Sequence, residues 1–102
     1  MLAIYKYRIT KYEEIVDAPI INWLYVDWQE REGCYCIWGM VDDEAANRKF
    51  KVKLVETGEH FSNTELNGFS YLGTVNKNLY VAHFFVAELD PKTYEVMVDD
   101  EE

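Results

Sequence analysis

The sequence predicts an all-β protein, either a small antiparallel β-sandwich or a partly open barrel of about seven strands. Short segments of apolar residues, several of them alternating with polar ones, follow one another with turn residues between them, which is typical of strands. Aromatic residues make up 16% of the chain, and their large flat side chains pack well on a pleated sheet. No segment keeps the spacing of an amphipathic helix.

The predicted strands are residues 3–10, 13–16, 20–28, 34–41, 48–56, 70–75 and 79–88. Residues 34–41 are almost continuously apolar, which favours a strand at the centre of a sheet. Residues 48–56 alternate, so Phe50, Val52 and Leu54 are predicted to face the core. Residues 93–98 are predicted to add a final edge strand.

Residues that favour turns predict the connections. Gly33 ends the polar segment 29–33, where a glycine that accepts a positive φ favours a hairpin loop. Residues 76–78, Asn-Lys-Asn, predict a three-residue hairpin loop because asparagine tolerates the left-handed conformation. Residues 42–47 are too few for a stable isolated helix, and residues 57–68 predict a long polar loop.

The length of 102 residues predicts one domain, residues 1–98, followed by an acidic tail at 99–102. No long apolar run and no signal-peptide pattern is present, so we expect a soluble cytoplasmic protein. Cys34 and Cys36 are expected to be buried free thiols, because neighbours on one strand face rarely meet disulfide geometry. The net charge of −9 disfavours duplex nucleic acid. Nothing indicates a membrane partner. Exposed strand edges are compatible with a homo-oligomer.

Few residues could hold a metal or carry catalysis. The candidate soft metal ligands are Cys34, Cys36, His60 and His83. Zinc-binding cysteine pairs usually lie on tight turns rather than within a strand, so we expect no metal and no cofactor. His83 lies among apolar residues and is expected to be a core or cross-strand histidine. Without a glycine-rich phosphate loop or a distinct carboxylate pair, the sequence favours a binding protein over an enzyme.

Two basic rows stand out in an acidic chain. Lys49, Lys51 and Lys53 share one face of a predicted strand, and Lys6 and Arg8 share a face of another. They are interpreted either as solvated strand faces that resist aggregation or as one stripe that holds the phosphates of a small nucleotide while aromatic side chains stack on its base. The ligand-binding residues of the second interpretation are Lys6, Arg8, Lys49, Lys51, Lys53 and His60.

Carboxylates and aromatic residues offer another candidate surface. Asp42, Asp43 and Glu44 form an acidic run that suits a basic patch on a partner protein, although solubility alone is the alternative explanation. Exposed aromatic residues at the rim would supply the desolvated anchors in which binding energy concentrates. The aromatic candidates are Trp23, Tyr25 and Trp28.

Five segments in this order resemble a family of small bacteriophage-encoded domains of unknown function. They are Ile4-Tyr5-Lys6-Tyr7, Cys36-Ile37-Trp38-Gly39-Met40-Val41-Asp42, Glu56-Thr57-Gly58-Glu59-His60, Tyr71-Leu72-Gly73-Thr74-Val75 and Val81-Ala82-His83-Phe84-Phe85. The resemblance covers residues 2–88, with departures at residues 64–67 and in the acidic extension. It implies a phage gene product acting in the cytoplasm of a bacterial host, and it carries over no catalytic or binding residue.

Size, charge, the lack of a catalytic pattern and this resemblance together favour a small phage accessory protein. Its expected role is to antagonise a host defence or transcription factor by stoichiometric binding. One alternative is a protein that sequesters a nucleotide signal on a basic and aromatic surface, and another is a virion structural component. The expected partner is therefore a host protein or a small nucleotide.

Overall fold

The computed structural model describes residues 1–98, and the acidic tail predicted at residues 99–102 lies outside the described residues. Within residues 1–98 the chain forms seven β-strands and no helix, so the all-β prediction is confirmed. This part of the chain accordingly offers no helix that could cross a lipid bilayer. The strands are β1 (Leu2–Ile9), β2 (Glu13–Ala18), β3 (Ile20–Gln29), β4 (Cys34–Asp42), β5 (Arg48–Glu56), β6 (Ser70–Lys77) and β7 (Tyr80–Glu88).

The strands form two antiparallel sheets that pack face to face. Sheet A has the strand order β1-β4-β3, and sheet B has the order β2-β5-β7-β6. The core between them is apolar, and Phe84, Ile37, Val41 and Val52 are each at most 1% exposed. The sheets are not closed into a barrel. Of the two predicted architectures, the chain therefore adopts the sandwich.

The chain passes from sheet B to sheet A at Pro19, between β2 and β3. Because proline has no N–H group, it cannot continue a strand ladder. Its carbonyl accepts a hydrogen bond from the backbone N–H of Asp42 at 3.2 Å. Ala18 and Ile20, on either side, are 5% and 2% exposed. This one-residue corner thus directs both neighbouring side chains into the shared core.

The two central strands agree with the sequence pattern. β4 lies between β1 and β3 in the middle of sheet A, as its apolar run predicts. β5 has the predicted bounds, and Phe50, Val52 and Leu54 on it are buried. Because successive side chains of a strand point to opposite faces, the lysines of β5 lie on the outer face of sheet B.

Residues 93–98 do not form the predicted edge strand. Within the described residues their pairing is limited to an isolated bridge between Leu89 and Val96. The carboxylate of Asp90 accepts hydrogen bonds from the backbone N–H groups two and three residues later, at 2.8 and 3.1 Å. Tyr94 has a φ of 61°, which interrupts an extended conformation. Local turn geometry therefore prevails over the apolar pattern here.

The β6–β7 hairpin turn is shorter than predicted. Lys77 pairs with Tyr80, so the connection is a two-residue turn at Asn78 and Leu79 instead of a three-residue loop at residues 76–78. Asn78 has a φ of 56°, as expected for an asparagine in the left-handed conformation.

Two register shifts in the first half of β3 change which of its side chains face the core. An extra residue at each bulge replaces the period of two by a spacing of three, so Ile20, Trp23 and Val26 point inward. Trp23 packs edge-on against Tyr7 and Phe50, with ring centroids 5.9 and 5.4 Å away. The expectation that Trp23 is an exposed anchor is therefore wrong.

Candidate functional site

The outer lysines of β5 are paired with carboxylates. Two of the carboxylates come from the adjacent strand β2, and the third comes from the loop between β5 and β6. Their charges are therefore largely balanced by neighbouring carboxylates. The closest pairs are Lys49 with Asp17 at 3.9 Å, Lys51 with Glu13 at 3.6 Å, and Lys53 with Glu65 at 3.3 Å.

The other basic row, Lys6 and Arg8, lies on the outer face of sheet A, where both side chains form ion pairs with Glu32. The hydrogen bond from Lys6 lowers the pKa of Glu32. Because the inner faces of the sheets pack together, their outer faces point in opposite directions. The two basic rows therefore do not lie side by side, which corrects the interpretation of one shared stripe. His60 is exposed in the loop between β5 and β6.

Cys34 and Cys36 lie on the outer face of β4, close to Glu32. They are free thiols, as predicted, and they are 7% and 0% exposed. Burial raises the pKa of Cys36 to about 11. A carboxylate oxygen of Glu32 and both sulfur atoms all lie within 4.8 Å of one another. The structure therefore adds a carboxylate to the pair of thiols that the sequence showed.

His83 is a cross-strand histidine, as expected from its position in the sequence. Its Nε2 lies 2.8 Å from the hydroxyl of Thr57, and its Nδ1 lies 2.9 Å from the hydroxyl of Thr74. It belongs to β7 in sheet B, whereas the cysteines belong to sheet A. The four candidate soft ligands of the sequence therefore do not converge on one site.

The outer face of sheet A carries an exposed apolar surface, which we name the apolar face: Ile4, Tyr25, Trp38 and Met40. Ile4 is directly opposite Met40, and Tyr25 is directly opposite Trp38. The Tyr25 and Trp38 rings are 5.6 Å apart. Ile4 and Tyr25 are 58% and 56% exposed. Four large side chains from three adjacent strands thus form one continuous surface.

The predicted acidic run lies at one end of the apolar face. Asp42 follows Met40 by two residues on the same strand, and Asp43 and Glu44 continue into the next turn. The amino group of Met1 lies 3.1 Å from Asp43 and 3.3 Å from Glu44, and the hydrogen bond to Asp43 raises the pKa of that amino group. One ammonium against three carboxylates leaves this end negative. We name these three residues the acidic end.

A cavity of about 320 Å³ opens between the sheets, where β1 and β5 end and β4 begins. The Tyr12 hydroxyl donates a hydrogen bond to Glu56 at 3.1 Å. Trp28 is half-buried and packs against Tyr35 with ring centroids 5.0 Å apart. In the described part of the chain, no carboxylate lies within 4.0 Å of the Lys11 ammonium. The lining includes Arg8, Lys11, Tyr12, Trp28, Tyr35 and Glu56.

Comparison with known proteins identifies the family. Residues 1–94 match the family described as a domain of unknown function, DUF7352. The chain belongs to the DUF7352 family. No curated protein and no solved structure matches the chain. The predicted membership in a family of domains of unknown function is thus confirmed, whereas a phage origin stays a prediction.

In this DUF7352 domain, only some of the predicted partner-binding residues come together. Tyr25 lies on the apolar face beside the acidic end, whereas Trp23 faces the core and Trp28 lines the cavity. Trp38 and Met40 were missed because the apolar run of β4 hides which face each residue occupies. Side chains alternate between the two faces of a strand, so counting from the buried Ile37 places both residues on the outer face.

Proposed function

We propose that this DUF7352 domain is a small accessory protein that binds a partner protein stoichiometrically through the apolar face and the acidic end. The observation that carries the proposal is the aromatic and aliphatic surface on sheet A, exposed directly beside a negative end. The partner suited to it is a protein with an apolar patch bordered by lysine or arginine. In the setting implied by the sequence resemblance, the protein is phage-encoded and the partner is a host defence or transcription factor.

The composition of the apolar face suits this role. Tyrosine, tryptophan and methionine are enriched in interface cores, where they are desolvated and carry much of the binding energy. Ile4, Tyr25, Trp38 and Met40 lie at a sheet surface that no other part of residues 1–98 covers completely. Carboxylates at the rim accelerate association and orient the two proteins. We therefore expect the apolar face to determine the dissociation rate and the acidic end to determine the association rate.

The substitution Ile4→Asp is expected to weaken binding at least about tenfold, equivalent to about 1.4 kcal/mol. Ile4 is 58% exposed on an edge strand, so an aspartate there places a charge in the interface without disturbing the core. The partner is first captured from a host lysate at low salt, and its affinity is then measured with purified proteins by calorimetry. Leu79→Asp is the matched control, because Leu79 is 94% exposed at the β6–β7 turn of sheet B and is not part of the apolar face.

Neutralising the acidic end provides the second arm of this test. The triple change of Asp42→Asn, Asp43→Asn and Glu44→Gln is expected to slow association and to reduce its dependence on salt, because exposed charges act within a Debye length. If low-salt capture yields only the bait, or if Ile4→Asp and Leu79→Asp weaken binding equally, the apolar face is not the binding surface.

The cavity favours a second candidate function, the capture of a small nucleotide. Tyr35 offers an aromatic surface for a base, and Trp28 offers the ring face that the Lys77 ammonium does not cover. Glu56 is an acceptor for the amino group of the base. Lys11 suits a phosphate, together with Arg8, which also pairs with Glu32. The volume of about 320 Å³ is at the small end of ligand sites, which limits the candidate to a nucleoside monophosphate. Among the predicted ligand-binding residues, Arg8 alone lines this cavity.

A thermal-shift measurement with adenosine or guanosine monophosphate tests this candidate. Ligand at about ten times its Kd is expected to stabilise the fold by about 1.4 kcal/mol, which raises Tm by several degrees in a domain of this size. Lys11→Glu is expected to abolish the shift. Lys51→Glu is expected to leave the shift unchanged, because Lys51 lies on the outer face of sheet B and does not line the cavity. No shift with either nucleotide, or an equal loss in both variants, rejects the cavity as a nucleotide site.

A further inference from the structure

We propose that Glu32, Cys34 and Cys36 form a zinc-binding site with one coordination position left open. Their three ligand atoms lie within 4.8 Å of one another. Zinc binds thiolates at about 2.3 Å, which separates neighbouring ligands of a tetrahedral site by about 3.8 Å. The ligand atoms are therefore at most about 1 Å farther apart than in such a site. This inference does not rest on the proposed function.

The fold brings the three ligands together through one hairpin. Cys34 and Cys36 are two apart in β4, so both side chains point to the outer face of sheet A. Gly33, with a φ of 68°, closes the loop after β3 by donating its N–H to the carbonyl of Gln29 at 2.9 Å. This turn brings Glu32 over the same face. The Glu32 side chain is only 24% exposed there.

The neighbouring cations balance the charge of the site. Two thiolates and one carboxylate carry three negative charges, so a bound Zn²⁺ leaves one negative charge. Lys6 and Arg8 both pair with Glu32, and their positive charges reduce the cost of holding that charge in a partly buried site. A carboxylate has lone pairs enough to bind the metal and still accept hydrogen bonds. The cations therefore act as the outer shell that orients the metal ligand.

The donor set indicates zinc over the hard divalent cations. Thiolates select soft or borderline metals, whereas Mg²⁺ and Ca²⁺ prefer oxygen ligands. Three protein ligands with one open position is the arrangement of zinc sites that keep a bound water. Among residues 1–98 neither histidine belongs to this cluster: His60 is exposed in the loop between β5 and β6, and His83 lies in β7 of sheet B between the hydroxyls of Thr57 and Thr74.

Titration of the reduced, chelator-treated full chain with Co²⁺ tests the proposal. We expect saturation at one equivalent, a thiolate-to-cobalt charge-transfer band in the near ultraviolet, and displacement of Co²⁺ by Zn²⁺. Glu32→Gln is expected to lower the affinity about tenfold or more, and Cys36→Ser, which removes one of the two thiolates, to reduce the charge-transfer band at least by half. Glu30→Gln is the matched control, because Glu30 lies in the same loop and accepts a hydrogen bond from the Trp28 indole at 3.2 Å. This substitution is expected to leave Co²⁺ binding unchanged.

Three results would overturn the site. These are the absence of a charge-transfer band at stoichiometric Co²⁺, wild-type affinity in Glu32→Gln, and displacement of Co²⁺ by Mg²⁺ as readily as by Zn²⁺. Circular dichroism of each metal-free variant establishes that its β fold is intact. If Cys36→Ser does not fold, Cys34→Ser replaces it, because Cys34 is the less deeply buried of the two thiols.

Discussion

Replacing Phe84 by alanine is expected to lower the free energy of unfolding by about 3–5 kcal/mol. Phe84 lies in β7 and is 0% exposed. Its ring packs against Tyr35 of sheet A with centroids 5.0 Å apart, so it fills the space between the two sheets. A small domain has only about 5–15 kcal/mol of stability in total. Denaturant unfolding measures the loss as a lower midpoint concentration with an unchanged slope.

Phe85→Ala is the matched control for this prediction. Phe85 is the next residue of the same strand, and its ring lies on the outer face of sheet B, 5.7 Å from that of Tyr71. Since it is only half-buried, its removal leaves no enclosed cavity, and we expect it to cost less than half as much as Phe84→Ala. Equal losses from both substitutions would contradict the assignment of Phe84 to the inner face.

Elements governed by local patterns could be predicted from the sequence. β5 has the predicted bounds because strict alternation of Phe50, Val52 and Leu54 with lysines fits only one sheet register. β4 was predicted as central because its side chains are apolar on both faces. Both predictions depend only on neighbours along the chain, so they do not require knowledge of the strand order.

Features that depend on distant contacts could not be predicted. The bulges in β3 turn Trp23 inward, where it packs against Tyr7 and Phe50, and alternation alone gives no sign of them. The approach of Glu32 to Cys36 is set by the geometry of the loop between β3 and β4, and the pairing of β1 with β4 brings Lys6 and Arg8 to the same place. One of the two interpretations of the basic rows placed them side by side. The strand order assigns them to different sheets, and alternation along the chain does not reveal that order.

Replacing Arg48 by methionine is expected to cost about 1–2 kcal/mol, since it removes three hydrogen bonds of a charged donor whose side chain is 44% exposed and partly screened by solvent. The guanidinium donates to both carboxylate oxygens of Glu88, at 2.9 and 2.7 Å, and to the carbonyl of Ile20 at 2.6 Å. Ile20 belongs to sheet A, whereas Arg48 and Glu88 belong to sheet B. One side chain therefore links the two sheets. The loss is measured by denaturant unfolding at neutral pH.

Lys49→Met is the control for this substitution. Lys49 is the next residue; its ion pair with Asp17 at 3.9 Å and its position over the Tyr94 ring, 4.6 Å from the centroid, are both exposed contacts that contribute about 0–1 kcal/mol each. Arg48→Lys keeps the charge but loses the planar two-pronged contact, so its stability should fall between those of the wild type and Arg48→Met. Similar losses in Arg48→Met and Lys49→Met would show that the contact with Ile20 contributes little.

The ion pair between Arg48 and Glu88 also predicts a dependence of the free energy of unfolding on pH. Hydrogen bonds from Arg48 lower the pKa of Glu88 below its ordinary value of 4.5. Near that pH the unfolded chain binds more protons than the folded one, so stability increases with pH. The contribution is fully present above about pH 4.5 and is lost as the pH falls through the lower folded pKa. We expect the difference in unfolding free energy between wild type and Glu88→Gln to be constant near neutrality and to shrink in acid. A difference that stays constant down to acidic pH would mean that Arg48 does not hold Glu88 in its charged form.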